Sequence, residues 1–278
     1  MTHIRPQARD GNLNPVDPGR GCLPILLERE PGKLMVVGTG FYISRYGLFM
    51  SANHVLETLL DESGTGLGVG YVCHIAAEDV VHLRRIRRVS FMKPQDIAIG
   101  QADNYVEKFP ENPLQNLRVG LTTELPSPDD FVITYAYPEN DTLDFNKTDT
   151  APAIAGNYFE GRFLRLVNNS EHPFMPYPYF ETTIRSRPGA SGGPVFDSTG
   201  RVIGINCRGW DFGDAEHESN ELSYMVPVSA ALGLICEPIQ LPSFSWEAAQ
   251  IPEGFDLALL TIRDLAKFGH VLFDPPLL

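Results

Sequence analysis

Three observations predict an all-β fold, sandwich or barrel, for this chain. Short apolar runs rich in β-branched and aromatic residues recur along the sequence, with turn residues between them. Glycine and proline are plentiful, at 25 and 23 of 278 residues, which favours many tight turns. Long helical periods are absent from the body of the chain, so strands do not alternate with helices as βα units would require.

The elements follow in order. Residues 1–20, MTHIRPQARDGNLNPVDPGR, are polar and turn-rich and read as a flexible leader. From Leu23 the character changes: ILLERE, KLMVVGTGFYIS and YGLFMSA are β-type runs. Residues 52–62, ANHVLETLLDE, form the clear short helix of the first half. GYVCHIAAED, VVHLRRIRRVSFM and DIAIGQA return to strand character, and the polar stretch 108–116, KFPENPLQN, reads as a linker. The second half repeats the style in LRVGLTT, DFVITYAYP, GNYFEGRFLRLVNN, YFETTIR, GPVFD, RVIGINCRG and SYMVPV. After Pro227 the segment VSAALGLI turns helical, with Ser229 as its expected N-cap. The run FDLALLTIRDLAKFG in the tail has helical spacing. The expected organisation is a leader at 1–20, two β units at 21–115 and 116–237, and a C-terminal extension at 238–278.

Charge narrows the function. Thirty-five acidic against 22 basic residues give a net charge of −13. A nucleic-acid binder shows the opposite balance, because phosphate affinity comes from Lys and Arg. An anionic membrane would repel most of such a surface, and no apolar window reaches the length of a membrane span. The basic run His82, Arg84, Arg85, Arg87 and Arg88 reads as a solvated strand face. The first 20 residues lack the apolar core of a secretory signal. Cys22, Cys73, Cys207 and Cys236 show neither CxxC pairing nor zinc spacing. Free thiols in a reducing compartment follow, and with them a cytoplasmic location.

The chemistry starts at GASGGP, residues 189–194. A serine hydroxyl is a weak nucleophile and needs an exposed turn next to a base. Flanking glycines permit unusual backbone angles and let N–H groups converge on a developing oxyanion. Ser191 is therefore the candidate nucleophile. His54, in SANHV, follows an apolar strand and opens a short helix, which places its imidazole at a strand end. Asp96 stands just before the apolar run of DIAIG and needs a partner there. Paired with a histidine N–H, it fixes the tautomer and stabilises the imidazolium.

Taken together, GTGFYIS, SANHV, DIAIG, GASGGPVFD and GRVIGINCRG, with His54, Asp96 and Ser191 in that order, resemble the trypsin or chymotrypsin-like serine protease superfamily over roughly residues 23–236. GRVIGIN and SYMVPV look more like its bacterial, disulfide-poor branch, as in the HtrA proteases. The resemblance implies two six-stranded antiparallel β-barrels, followed here by a C-terminal helix and an extra tail. It implies a serine endopeptidase that acts through an acyl-enzyme. His54 and Asp96 would come from the first barrel and Ser191 from the second. The N–H groups of Gly189 and Ser191 would form the oxyanion hole. The strand Cys207, Arg208, Gly209 would pair with the substrate backbone. Arg185, six residues before Ser191, occupies a position that often lines the specificity pocket. Buried there it would favour an acidic residue before the cut; otherwise it points to solvent.

Departures carry expectations too. Ala190 stands where zymogen-activated members have an aspartate, so cleavage to a new amino terminus is not the expected switch. The segment after 237 is too short for the PDZ domain of HtrA proteases. Substrates are expected to be proteins or peptides. A regulatory protein partner is expected to use the acidic segment 211–222 or the tail. Nothing argues for a metal or organic cofactor, and DFGDAEHE lacks the ligand spacing of a calcium loop. Two other readings compete. GASGG fits the elbow of α/β-hydrolases, with Asp211 or Asp214 and His217, or Asp264 and His270, as later members; the hairpin-like GGPVFDSTGRVIGIN argues against it. The other is a catalytically silent binding module on a protease fold.

Overall fold

The computed structural model describes residues 8–9, 13–44, 47–61, 64, 68–75, 81–103, 117–138, 143–144, 154–168, 175–209, 222–234, 261–267 and 269–277. The linker 108–116, nearly all of the acidic segment 211–222 and residues 235–260 of the tail lie outside this set.

In chain order the elements are β1 (Ala8–Arg9), β2 (Pro15–Val16), α1 (Pro18–Gly21), β3 (Cys22–Glu30), β4 (Lys33–Tyr42), β5 (Leu48–Ser51), α2 (Asn53–Glu57), β6 (Gly70–Ile75), β7 (Val81–Met92) and β8 (Ile97–Ala102). They continue with β9 (Phe131–Ala136), β10 (Leu143–Asp144), β11 (Asn157–Val167), β12 (Tyr179–Thr182), β13 (Pro194–Phe196), β14 (Val202–Gly209), β15 (Ser223–Pro227), a 3-10 helix (Val228–Gly233) and α3 (Ile262–Lys267). Strands β4, β3, β6, β7, β8 and β5 follow one another, and pairing of β4 with β5 closes the ring. Strands β11, β12, β15, β14, β13 and β9 form a second closed barrel. Every ladder in both rings is antiparallel. This is the double barrel that the resemblance implies, and closure removes the exposed edges that an open sheet would carry.

The barrels share one core. Ile25, Phe41, Phe49 and Ile99 of the first pack in the same cluster as Tyr137, Phe196 and Val226 of the second. A second cluster, including Val132, Phe163, Phe180, Val195 and Ile203, lies in the second barrel. Each such side chain contributes roughly 1.5–3 kcal/mol by leaving water. Gly100 on β8 faces the Phe49 ring so closely that an added Cβ would overlap it.

Several features differ from the sequence reading. Part of the leader is docked: β1 pairs with β2, Arg9 N–H donates to Gly200 O at 3.1 Å, and Gly120 N–H donates to Arg9 O at 3.0 Å. Backbone pairing has no side-chain signature in a polar segment, so the sequence did not show it. Strand β10 follows the expected linker but adds to β4 of the first barrel. Arg84 and Arg88 are not solvated but buried, at 1% and 5% exposure. Period-two alternation turns Arg84 inward with Ile86. Its guanidinium donates to Tyr42 Oη and to Asp103 O, while Arg87 pairs with the Asp103 carboxylate at 2.6 Å. The segment after Pro227 is a 3-10 helix, and Ser229 lies inside it rather than capping it. The tail helix is α3, and beyond it Leu121 N–H donates to Leu272 O at 2.9 Å while Asp274 N–H donates to Leu121 O at 2.8 Å.

Candidate active site

His54 is the second residue of α2, directly after β5. Its neighbour Asn53 sends one amide to two carbonyls, Met92 O at 2.9 Å and Gln95 O at 2.7 Å. That anchors the turn between β7 and β8, and Asp96 is the residue that follows it. The Asp96 carboxylate accepts from the His54 backbone N–H at 3.0 Å and meets His54 Nδ1 at 2.7 Å. A carboxylate only accepts, so Nδ1 carries the proton and Nε2 keeps its lone pair in the neutral ring. The two side chains differ in exposure, 47% for His54 and 16% for Asp96, so the carboxylate is largely shielded while the ring is half open to solvent. Burial works against the charge on Asp96. The hydrogen bonds and charge of His54, with the nearby Cys207 thiol, outweigh burial and hold the carboxyl below its ordinary value.

Ser191 lies in the tight turns between β12 and β13. Arg187, Pro188, Gly189 and Ala190 form a turn closed by Ala190 N–H to Arg187 O at 3.0 Å. Proline at the second position and Gly189 at φ 87° at the third are the marks of a type II turn. Among the described residues, no protein group accepts from the N–H of Gly189 or Ser191. The Ser191 hydroxyl donates to Cys207 O at 3.4 Å, and no hydrogen bond joins it to His54 among the described residues. Cys207 touches the other half too, since its thiol reaches Asp96 O at 3.4 Å. Burial, then the charge of Asp96, pushes that thiol well above its ordinary value. Gly192 sits against Ser51, Ala52 and Thr39 of the first barrel, and no Cβ fits there. Its φ of 85° also requires glycine. These contacts bring the Ser191 turn to the segment that carries His54.

Strand β14 offers an edge beside this turn. Its early residues pair with β13 through Ile205, Gly204 and Val202, whereas Arg208 and Gly209 pair only with Tyr224 and Ser223 of β15 among the described residues. Arg185 is exposed, as in the solvent-facing alternative. Near it Ser186 Oγ and Ser223 Oγ meet at 3.0 Å, and Ser223 Oγ donates to Ile184 O at 2.7 Å. Ala190 is fully buried. The sequence reading missed Asn53 and Thr39 as builders of the site. Both stand inside the quoted motifs, SANHV and GTGFYIS. The α/β-hydrolase alternative falls with the fold: antiparallel barrels replace a parallel sheet, Asp264 caps its own helix through Thr261, and Asp211, Asp214 and His217 lie outside the described residues.

The trypsin-like peptidase domain model matches residues 38–205. The chain belongs to the trypsin-like peptidase family. This trypsin-like peptidase is 25% identical over 179 residues to a probable periplasmic serine endoprotease, DegP-like, of Marinomonas sp. (strain MWYL1), covering 64% of the chain. It is 26% identical over 180 residues to the protein of the same description in Hahella chejuensis (strain KCTC 2396), covering 65%. The match spans 31% of the length of each of these relatives. In fold it is similar to Deg5, with a TM-score of 0.52 at 17% identity, covering 76% of this chain and 85% of that one. It is also similar to the active form of the Rv3671c protease from M. tuberculosis, with a TM-score of 0.50 at 20% identity over 76% and 77%.

Proposed function

We propose that the chain is a serine endopeptidase with Ser191 as nucleophile, His54 as general base and acid, and Asp96 as the group that orients the ring. The observation that carries this is the bond from His54 Nδ1 to Asp96 at 2.7 Å, which leaves the Nε2 lone pair to take a proton. In the reaction Ser191 Oγ turns away from Cys207 O, gives its proton to His54 Nε2 and attacks the scissile carbonyl carbon. The negative oxygen of the tetrahedral intermediate accepts from the N–H groups of Gly189 and Ser191. His54 passes the proton to the leaving amine, an acyl-enzyme on Ser191 remains, and water activated by the same ring releases it. Asp96 stays ionised throughout. Substrate lies extended against Cys207, Arg208 and Gly209 as an added strand.

Finer points belong to the same proposal. Selective processing of one protein under a regulatory partner is part of this reading, with the acidic segment 211–222 and residues 238–278 as the candidate regulatory surfaces. Cys22, Cys73 and Cys207 are free thiols, which favours a reducing, cytoplasmic setting, whereas both relatives are named periplasmic; fractionation of the source cells decides between them. The test of the main reading is digestion of casein, followed by mass spectrometry. New termini made by the wild type and absent with Ser191→Ala support it. Intact casein in both favours the silent binding module.

A further inference from the structure

Thr39 is fully buried, and every polar atom it has is engaged. Its N–H donates to Ser191 O at 2.9 Å, and its carbonyl accepts from Ser51 Oγ at 2.7 Å. Its hydroxyl contacts Gly189 O at 2.9 Å and Tyr137 N at 3.1 Å. The direction of these last two bonds is fixed by chemistry. A backbone N–H only donates and a carbonyl only accepts, so the hydroxyl accepts from Tyr137 and gives its single proton to Gly189.

The consequence lies in the peptide planes around Ser191. The plane after Gly189 is held at its oxygen by Thr39 Oγ1 and at its N–H by Arg187 O. The plane after Ser191 is held at its oxygen by Thr39 N–H and at its N–H by Asn206 O at 2.6 Å. Between them lies the plane that carries the Ser191 N–H, whose carbonyl accepts from Gly193 at 3.1 Å. One residue of β4 thus grips both planes that flank an oxyanion donor, and it does so from the barrel that carries His54.

We infer that Thr39 is a positioning residue, whose hydroxyl sets the orientation of the Gly189–Ser191 backbone relative to His54 and so acts on the transition state rather than on substrate binding. The inference rests on the serine-endopeptidase reading. Thr39→Val tests it, because it keeps size, shape and both backbone bonds and removes only the hydroxyl. Loss of a direct oxyanion donor lowers turnover by about 10²–10³. An indirect support is expected to cost less, about 10- to 100-fold in kcat with KM within about twofold.

The experiment uses the full chain, a peptide spanning a cleavage site mapped in casein, the aldehyde of that peptide and its cleaved product. Rates are normalised by titration of reactive serine. The expected result is that Thr39→Val loses aldehyde affinity by the same factor as kcat/KM and keeps product affinity, and that Thr39→Ser recovers activity to within about threefold. Thr39→Ala, which leaves room for a water, serves if the valine variant does not fold. Unchanged kcat per reactive serine, equal losses for aldehyde and product, or no rescue by serine would overturn the inference. A wild-type chain that cleaves nothing while Ser191→Ala behaves identically would overturn the underlying reading, and this inference with it.

Discussion

The two halves of the site are held by different means. His54 and Asp96 come from one barrel and are joined by side chains: Asn53 anchors the turn before Asp96, and the carboxylate takes two bonds from His54. Ser191 comes from the other barrel and is held almost wholly through backbone groups, several of them across the interface to Thr39 and beside Ser51. The proposed acid–base half is therefore built mainly within the first barrel, with one contact from Cys207 of the second. The half that carries Ser191, the proposed nucleophile, takes its shape from the packing of the two barrels. Disturbing the interface should harm the second half more than the first.

The largest effect comes from breaking either half outright. Ser191→Ala should lower turnover about a million-fold, His54→Ala nearly as much, and the double variant no further, because the residues act as a unit. Steady-state hydrolysis of casein-derived peptides measures this. Asp96→Asn should cost about 10⁴-fold, since the ring then loses its tautomer control.

A pair of glycine substitutions sharpens the comparison. Gly192→Ala puts a Cβ into Ser51 and Thr39 at a φ of 85°, and Gly100→Ala puts one into the Phe49 ring. Each should cost about 1–3 kcal/mol of stability by overpacking. Only Gly192→Ala should also lower kcat per folded molecule; urea titration combined with active-site titration separates the two outcomes.

Acid affects the first half. The Asp96 carboxyl is held below its ordinary value, whereas in the unfolded chain it titrates at about 3.9. The stabilisation it adds is thus complete above that unfolded value and is lost as the pH falls through the lower folded one. The stability of the wild type relative to Asp96→Asn should shrink as the pH falls below about 4, as followed by thermal melts. The smallest effect concerns the thiols. Burial pushes Cys73 up to about 12 and Cys22 and Cys207 well above their ordinary value. Iodoacetamide at pH 8 should leave all three unmodified in the native chain and alkylate them in urea, with peptide mapping as the readout.

Much of this was legible in the sequence, and the reasons are local. Alternation and turn residues announce strands, so the all-β class follows from runs such as KLMVVGTGFYIS. GASGGP and DIAIG carry chemistry in consecutive residues. What escaped depends on contacts between distant segments. Arg84 and Arg88 look solvated by charge alone, yet lie on the inward face of β7. The contact of Ser186 with Ser223 joins residues 37 positions apart and has no local signature. Thr39 reads as one more β-branched strand residue until the opposite barrel brings Gly189 and Ser191 against it.

The most direct test of the serine-endopeptidase reading is labelling of the native protein with a fluorophosphonate probe, with the adduct mapped by mass spectrometry. One adduct on Ser191, absent from Ser191→Ala and from His54→Ala, is the predicted result. An adduct elsewhere, or equal labelling when His54 is removed, would contradict it.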